Sequence, residues 1–102
     1  MSDTSIHERS VISVSSAPLS AAAPGEAVII DPASSMYYRL AGVGERVWAL
    51  IQEPRQVADI RDTLAEEYDA PPDVILHDLK VLLRELANAG LIVVAEPMPE
   101  AP

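Results

Sequence analysis

Apolar and polar positions change their period along this chain. Over the first forty residues the pattern is that of strands. Val11-Ile12-Ser13-Val14-Ser15 is β-branched and hydroxyl-rich, which predicts a short strand. Residues 17–25 hold Pro18, Pro24 and an alanine run and read as a loop. Glu26 to Asp31 is a second predicted strand, closed by Asp31-Pro32 and the pair Ser34-Ser35, a turn signal. Met36-Tyr37-Tyr38-Arg39-Leu40 follows as a third, so residues 26–40 are expected to form a hairpin.

At Ala41-Gly42 the period becomes helical. Val43, Val47, Leu50 and Ile51, with Trp48 beside them, give a short amphipathic helix that Pro54 ends. Val57, Ile60, Leu64 and Tyr68 mark the inner face of a second helix, whose wet face carries Asp59, Asp62, Glu66 and Glu67. After the turn at Asp69-Ala70-Pro71, Pro72 suits the first turn of a third helix, where its missing N–H costs nothing. That helix runs to about Ala89 and stops at Asn88 and Gly90. Ile75, Leu79, Leu82, Leu83 and Leu86 form its core stripe. Leu91 to Val94 predicts a last short strand. Helices two and three make a helix-turn-helix pair, and the trailing strand falls where a winged-helix domain has its wing. Residues 1–10 read as a flexible arm, 11–95 as one domain and 96–102, with three prolines, as a disordered tail.

Composition narrows the function classes. The 102 residues allow one small domain, and the shortage of aromatics (three Tyr, one Trp, no Phe) makes its core aliphatic. The lack of cysteine excludes a disulfide scaffold, a thiolate metal site and a cysteine nucleophile. No signal core or membrane-length apolar run is present, so a cytoplasmic protein is expected. The formal charge is −9, concentrated behind residue 51. Such a surface repels phosphate backbones and anionic lipid and favours basic partners.

Specific chemistries are poorly supplied. A helix-turn-helix invites a DNA-binding reading, but residues 72–89 set Lys80 and Arg84 against Asp73, Asp78 and Glu85, too few cations to neutralise phosphates. Asp73 and His77 lie one helical turn apart, but two ligands make a poor metal site. All nine serines lie in the first 35 residues, none in a nucleophile elbow. Gly42 and Gly44 precede no P-loop lysine and read as a helix start.

One pattern stays unabsorbed. Val74, Asp78, Val81 and Glu85 form a second stripe on helix three, about 100° from the core stripe. Half apolar and half acidic, it is an odd face for a solvated helix. If strand 36–40 lies at a sheet edge, its unpaired backbone invites another chain, and an edge strand beside a helix groove is the geometry of β-augmentation. The same residues also fit a plainer arrangement, with Tyr37 and Tyr38 as ordinary hairpin positions and Val74 and Val81 widening the core stripe.

The run Tyr37 to Ile51 (YYRLAGVGERVWALI) resembles the signature of PqqD-like proteins. The continuation agrees: Pro54 to Ile60, Leu64 to Asp69, Asp78 to Leu86, then Ala89-Gly90-Leu91-Ile92. The likeness covers residues 26 to about 94. It implies an α+β fold, a winged helix-turn-helix with an N-terminal three-stranded antiparallel sheet followed by three helices. It further implies a recognition element for ribosomally synthesised, modified peptides, without catalytic residues or cofactor, that binds a precursor's leader region. The lasso-peptide branch is the nearest in size; there the protein hands the precursor to a leader peptidase, and a cyclase closes the ring. The alternative branch is a pyrroloquinoline quinone-type peptide chaperone. A winged-helix DNA-binding regulator and a structural subunit of a larger enzyme are further readings. Carried over by position, Met36, Tyr37, Tyr38, Arg39 and Leu40 pair with the leader, and Val74, Asp78, Val81 and Glu85 line the groove, the two acids attracting leader lysines. A Tyr-x-x-Pro element of the leader would seat between strand and helix. The sequence departs from the family at Ala41 and Gln56, where capping side chains are common; each missing cap is expected to cost about 1 kcal/mol, with Gly42 a substitute at the first helix.

Overall fold

The computed structural model describes residues 6–16 and 18–96. Strands β1 (Val11–Val14), β2 (Leu19–Ala23), β3 (Glu26–Asp31) and β4 (Met36–Ala41) come first. Helix α1 (Val43–Leu50), the two-residue strand β5 (Arg55–Gln56), helices α2 (Val57–Tyr68) and α3 (Pro72–Asn88) and strand β6 (Ile92–Ala95) follow. The fold is α+β, a three-stranded antiparallel sheet near the N-terminus followed by three helices, compatible with a winged helix-turn-helix. No helix among the described residues is long and apolar enough to cross a membrane.

The front sheet differs from expectation in one strand. Its order is β2-β3-β4, so residues 19–23, read as loop, supply the outer strand. Leu-Ser-Ala-Ala-Ala has little β propensity of its own. Pairing with β3, from Leu19 opposite Ile30 to Ala23 opposite Glu26, overrides it. Pro18 and Pro24 flank the strand rather than interrupt it. Gly25, at φ 75°, turns the chain in two residues. The expected first strand, β1, belongs instead to a second sheet ordered β5-β1-β6, with Val11 opposite Ala95 and Val14 opposite Ile92. That partner lies some eighty residues away in sequence, which no local pattern reveals. The 26–40 hairpin is present, with Asp31 opposite Met36 and the Asp31 carboxylate accepting from the Ala33 N–H and the Ser34 hydroxyl.

The described part of the expected flexible arm is packed. Ile6 and Ser10 are buried, and Arg61 on α2 ion-pairs with Glu8. The backbone of this segment also resolves the missing cap at Gln56. That side chain caps nothing, but the Val57 N–H donates to Ser10 O (2.9 Å) and the Ala58 N–H to Glu8 O (2.8 Å). Two of the helix's unpaired first-turn donors are thereby satisfied by the segment that precedes β1, distant in sequence. Residues 1–5 and 97–102, and with them the rest of the arm and nearly all of the tail, lie outside the described residues. Glu96, the first residue assigned to the tail, bonds His7 (3.0 Å) just beyond the end of the β1–β6 pair where Val11 faces Ala95.

Helix α3 ends as its sequence suggests. Gly90 at φ 78° lets its own N–H reach Ala87 O and the Leu91 N–H reach Leu86 O, a Schellman arrangement that seats Leu91 fully in the core. The core is aliphatic. Ile12, Ile29, Val47, Ile51, Val57, Ile60, Leu83 and Leu91 are all fully buried, with Trp48 at their side. Two residues assigned to core faces are exposed, Val43 and Tyr68. Both are terminal residues of their helices, where the amphipathic face runs past the material it packs on.

Candidate peptide-binding groove

Strand β4 has β3 on one side and, among the described residues, no strand on the other. In an antiparallel pair alternate residues direct their N–H and C=O away from the neighbour, so this margin carries a row of open hydrogen-bonding groups. The strand's side chains alternate. Tyr38 and Leu40 pack against the core, while Tyr37, Arg39 and Ala41 face out. Met36, although in register with the inner set, is exposed.

Next to this margin lies a groove of about 410 Å³. One wall is β4, through Arg39, Leu40 and Ala41, and the opposite wall is α3, through Ile75, Asp78, Leu79 and Leu82. Val43, Gly44 and Val47 of α1, with Leu64 of α2, complete the lining. The surface is mainly aliphatic, with one cation and one anion. Arg39 donates to Glu26 on β3 (2.9 Å), and that bond pushes the guanidinium pKa further up, so it stays charged. Asp78 has no salt-bridge partner among the described residues.

Of the nine residues singled out from sequence, the structure brings Arg39, Leu40 and Asp78 into the groove lining. Met36, Tyr37 and Tyr38 lie further along β4, beyond the lining. Val74, Val81 and Glu85 stand exposed on α3, on the face adjoining the wall. Residues missed by sequence reasoning are Ala41, Val43, Gly44, Val47, Leu64, Ile75, Leu79 and Leu82. Most of these read as core, and they are core on one side. The available signal was the width of the α3 apolar stripe: five residues at helical spacing exceed what α2 can cover, and Ile75 and Leu82 are accordingly only half-buried.

Outside the groove, Arg46 on α1 grips Glu67 on α2 with two bonds, Nε–Oε1 at 2.8 Å and Nη2–Oε2 at 2.6 Å. The Arg46 guanidinium holds the Glu67 carboxyl below the usual carboxylate range. A second cavity of about 290 Å³ lies on the far side of α1, between it and β2–β3, lined in part by Trp48, Glu45 and Gln52. The buried Trp48 Nε1 has no hydrogen-bond partner among the described residues.

The family model described as coenzyme PQQ synthesis protein D (PqqD) matches residues 26–92. No curated protein matches the chain. Among solved structures, TbiB1 in complex with the TbiA(beta) leader peptide is similar, with 31% identity and a TM-score of 0.76, covering 86% of this chain and 99% of that one. A lasso peptide synthetase B1 complexed with its leader peptide shares the fold at 18% identity and a TM-score of 0.73, covering 80% of this chain and 96% of that one.

Proposed function

This chain belongs to the PqqD family, and from that premise we propose that it is a non-catalytic recognition element binding the leader region of a ribosomally synthesised precursor peptide, of the lasso class. The leader adds as a strand to the open margin of β4 and lays side chains into the groove against α3. Backbone pairing supplies affinity and the groove supplies selection. The bound precursor is then held at high local concentration beside a leader peptidase of the same pathway, with a cyclase acting afterwards. The setting is cytoplasmic. The observation that carries the reading is the β4 edge, unpaired among the described residues and directly beside an aliphatic groove. The complex of TbiB1 with a leader peptide supports it, since that relative matches this chain over nearly its whole length.

The acidic surface fits the same reading. Asp78 in the groove and Glu85 about two turns further along α3 favour a leader that carries lysine or arginine near its docking segment. The name of the matched family keeps a pyrroloquinoline quinone-type chaperone as the second reading. Its binding mode is the same, and its downstream enzyme differs.

Fluorescence-anisotropy titration with labelled TbiA(beta) leader peptide tests the proposal. Saturable binding is expected, weakened about tenfold or more by Val81→Arg or Asp78→Lys, because each sets a cation beside the docked chain or a bulky side chain in its path. Binding that both substitutions leave untouched contradicts the groove.

A further inference from the structure

Gly44 lies inside α1, at its second residue, and lines the groove. Its backbone does not explain it, because it takes no positive φ, unlike Gly42 just before it at 61°. Packing does not explain it either. A Cβ built there would meet only the Leu40 side chain, at 3.6 Å, an ordinary van der Waals contact. Alanine is also the better helix former. Nothing in the fold itself therefore calls for glycine at this position, and what its bare Cα leaves open is space in the groove.

Resting on the leader-binding reading above, we infer that Gly44 determines specificity, by holding open the seat for one bulky apolar side chain of the docked peptide. The seat's neighbours fix the chemistry it takes. Leu40, the side chain that a Cβ at Gly44 would meet, is aliphatic, as are Val43, Val47, Ile75 and Leu82 of the same lining, in which only Arg39 and Asp78 are charged. The side chain that enters beside Gly44 is therefore aliphatic or aromatic rather than charged or amide-bearing. Its size limit is set by the α1 backbone at Gly44, since a methyl there projects into the space that the peptide side chain needs. Close-packed contacts respond sharply to one added carbon.

The test is a bump-and-hole cycle. Wild type, Gly44→Ala and Gly44→Leu are compared by thermal melting and by titration with the TbiA(beta) leader peptide and its single-alanine variants. Gly44→Ala is expected to melt at or above the wild-type temperature, yet to bind the unmodified peptide about tenfold more weakly, with Gly44→Leu weaker still. At one apolar leader position the alanine variant should restore much of the affinity of Gly44→Ala while weakening wild type. Such coupling to a single position identifies the seated residue. Equal affinity of wild type and Gly44→Ala overturns the inference, as does a loss that is uniform across all peptide variants. If wild type itself does not bind, the leader-binding reading fails and takes this one with it.

Discussion

Among the described residues Asp78 carries the one unpaired charge in the groove lining, since Arg39 across from it is already engaged by Glu26. Its effect on a basic peptide is therefore expected to be screened by salt in a way that apolar contacts are not. In Asp78→Asn the leader affinity should fall modestly at low ionic strength and approach wild type as salt rises, which titrations across a salt series will read. Arg46 and Glu67 supply a residue-scale prediction for stability. The folded Glu67 carboxyl titrates below its unfolded value, because it accepts from Arg46. The stabilisation from this pair is therefore fully present above the unfolded carboxylate range, at about pH 4–5, and disappears as pH falls through the folded value. Melting curves of wild type and Glu67→Gln should separate above that range and converge in acid. The separation will be small, since both side chains are substantially exposed. A constant separation down to pH 2 contradicts the pair's contribution.

At the scale of elements, the helices were legible and half of the strand pairing was not. Apolar spacing located α1, α2 and α3 because each buries one face in the aliphatic core, and Gly90 marked the end of α3 through its backbone geometry. The β3–β4 hairpin was legible from its Asp-Pro turn. Strand β2 escaped because small residues held by a partner carry no propensity signal, and β1 was assigned to the wrong sheet because its partner β6 is at the other end of the chain. The groove was half legible. Its exposed stripe on α3 stood out, but Ile75, Leu79 and Leu82 have the sequence character of core and serve as wall as well. Truncating α3 on its buried side and on its groove side should therefore have different consequences. Leu83→Ala, at a fully buried position, should lower stability by about 2–5 kcal/mol in denaturant unfolding. Leu82→Ala, half-buried beside the groove, should cost less stability and more leader affinity.

For the whole molecule, the two sheets have different duties. The β5-β1-β6 sheet pairs the first described strand with the last, and the segment leading into it caps α2 through the backbone of residues 8 and 10. The β2-β3-β4 sheet hangs its last strand beside the helices with one margin open. On the proposed reading a helix-turn-helix serves as the wall of a groove rather than as a reader of DNA, and a net charge of −9 agrees with that use. No mobility shift of duplex DNA is expected even at low salt, where electrostatic affinity is greatest; a salt-sensitive shift would favour the regulator reading instead.

The central claim, that the open margin of β4 takes up a peptide strand, is tested most directly by amide hydrogen exchange across Met36–Ala41, with and without saturating TbiA(beta) leader peptide. The account predicts that the outward-facing amides of β4 exchange fast in the free protein and become strongly protected in the complex, while those already paired with β3 change little. Binding that leaves the β4 amides exchanging at their free rate would contradict it.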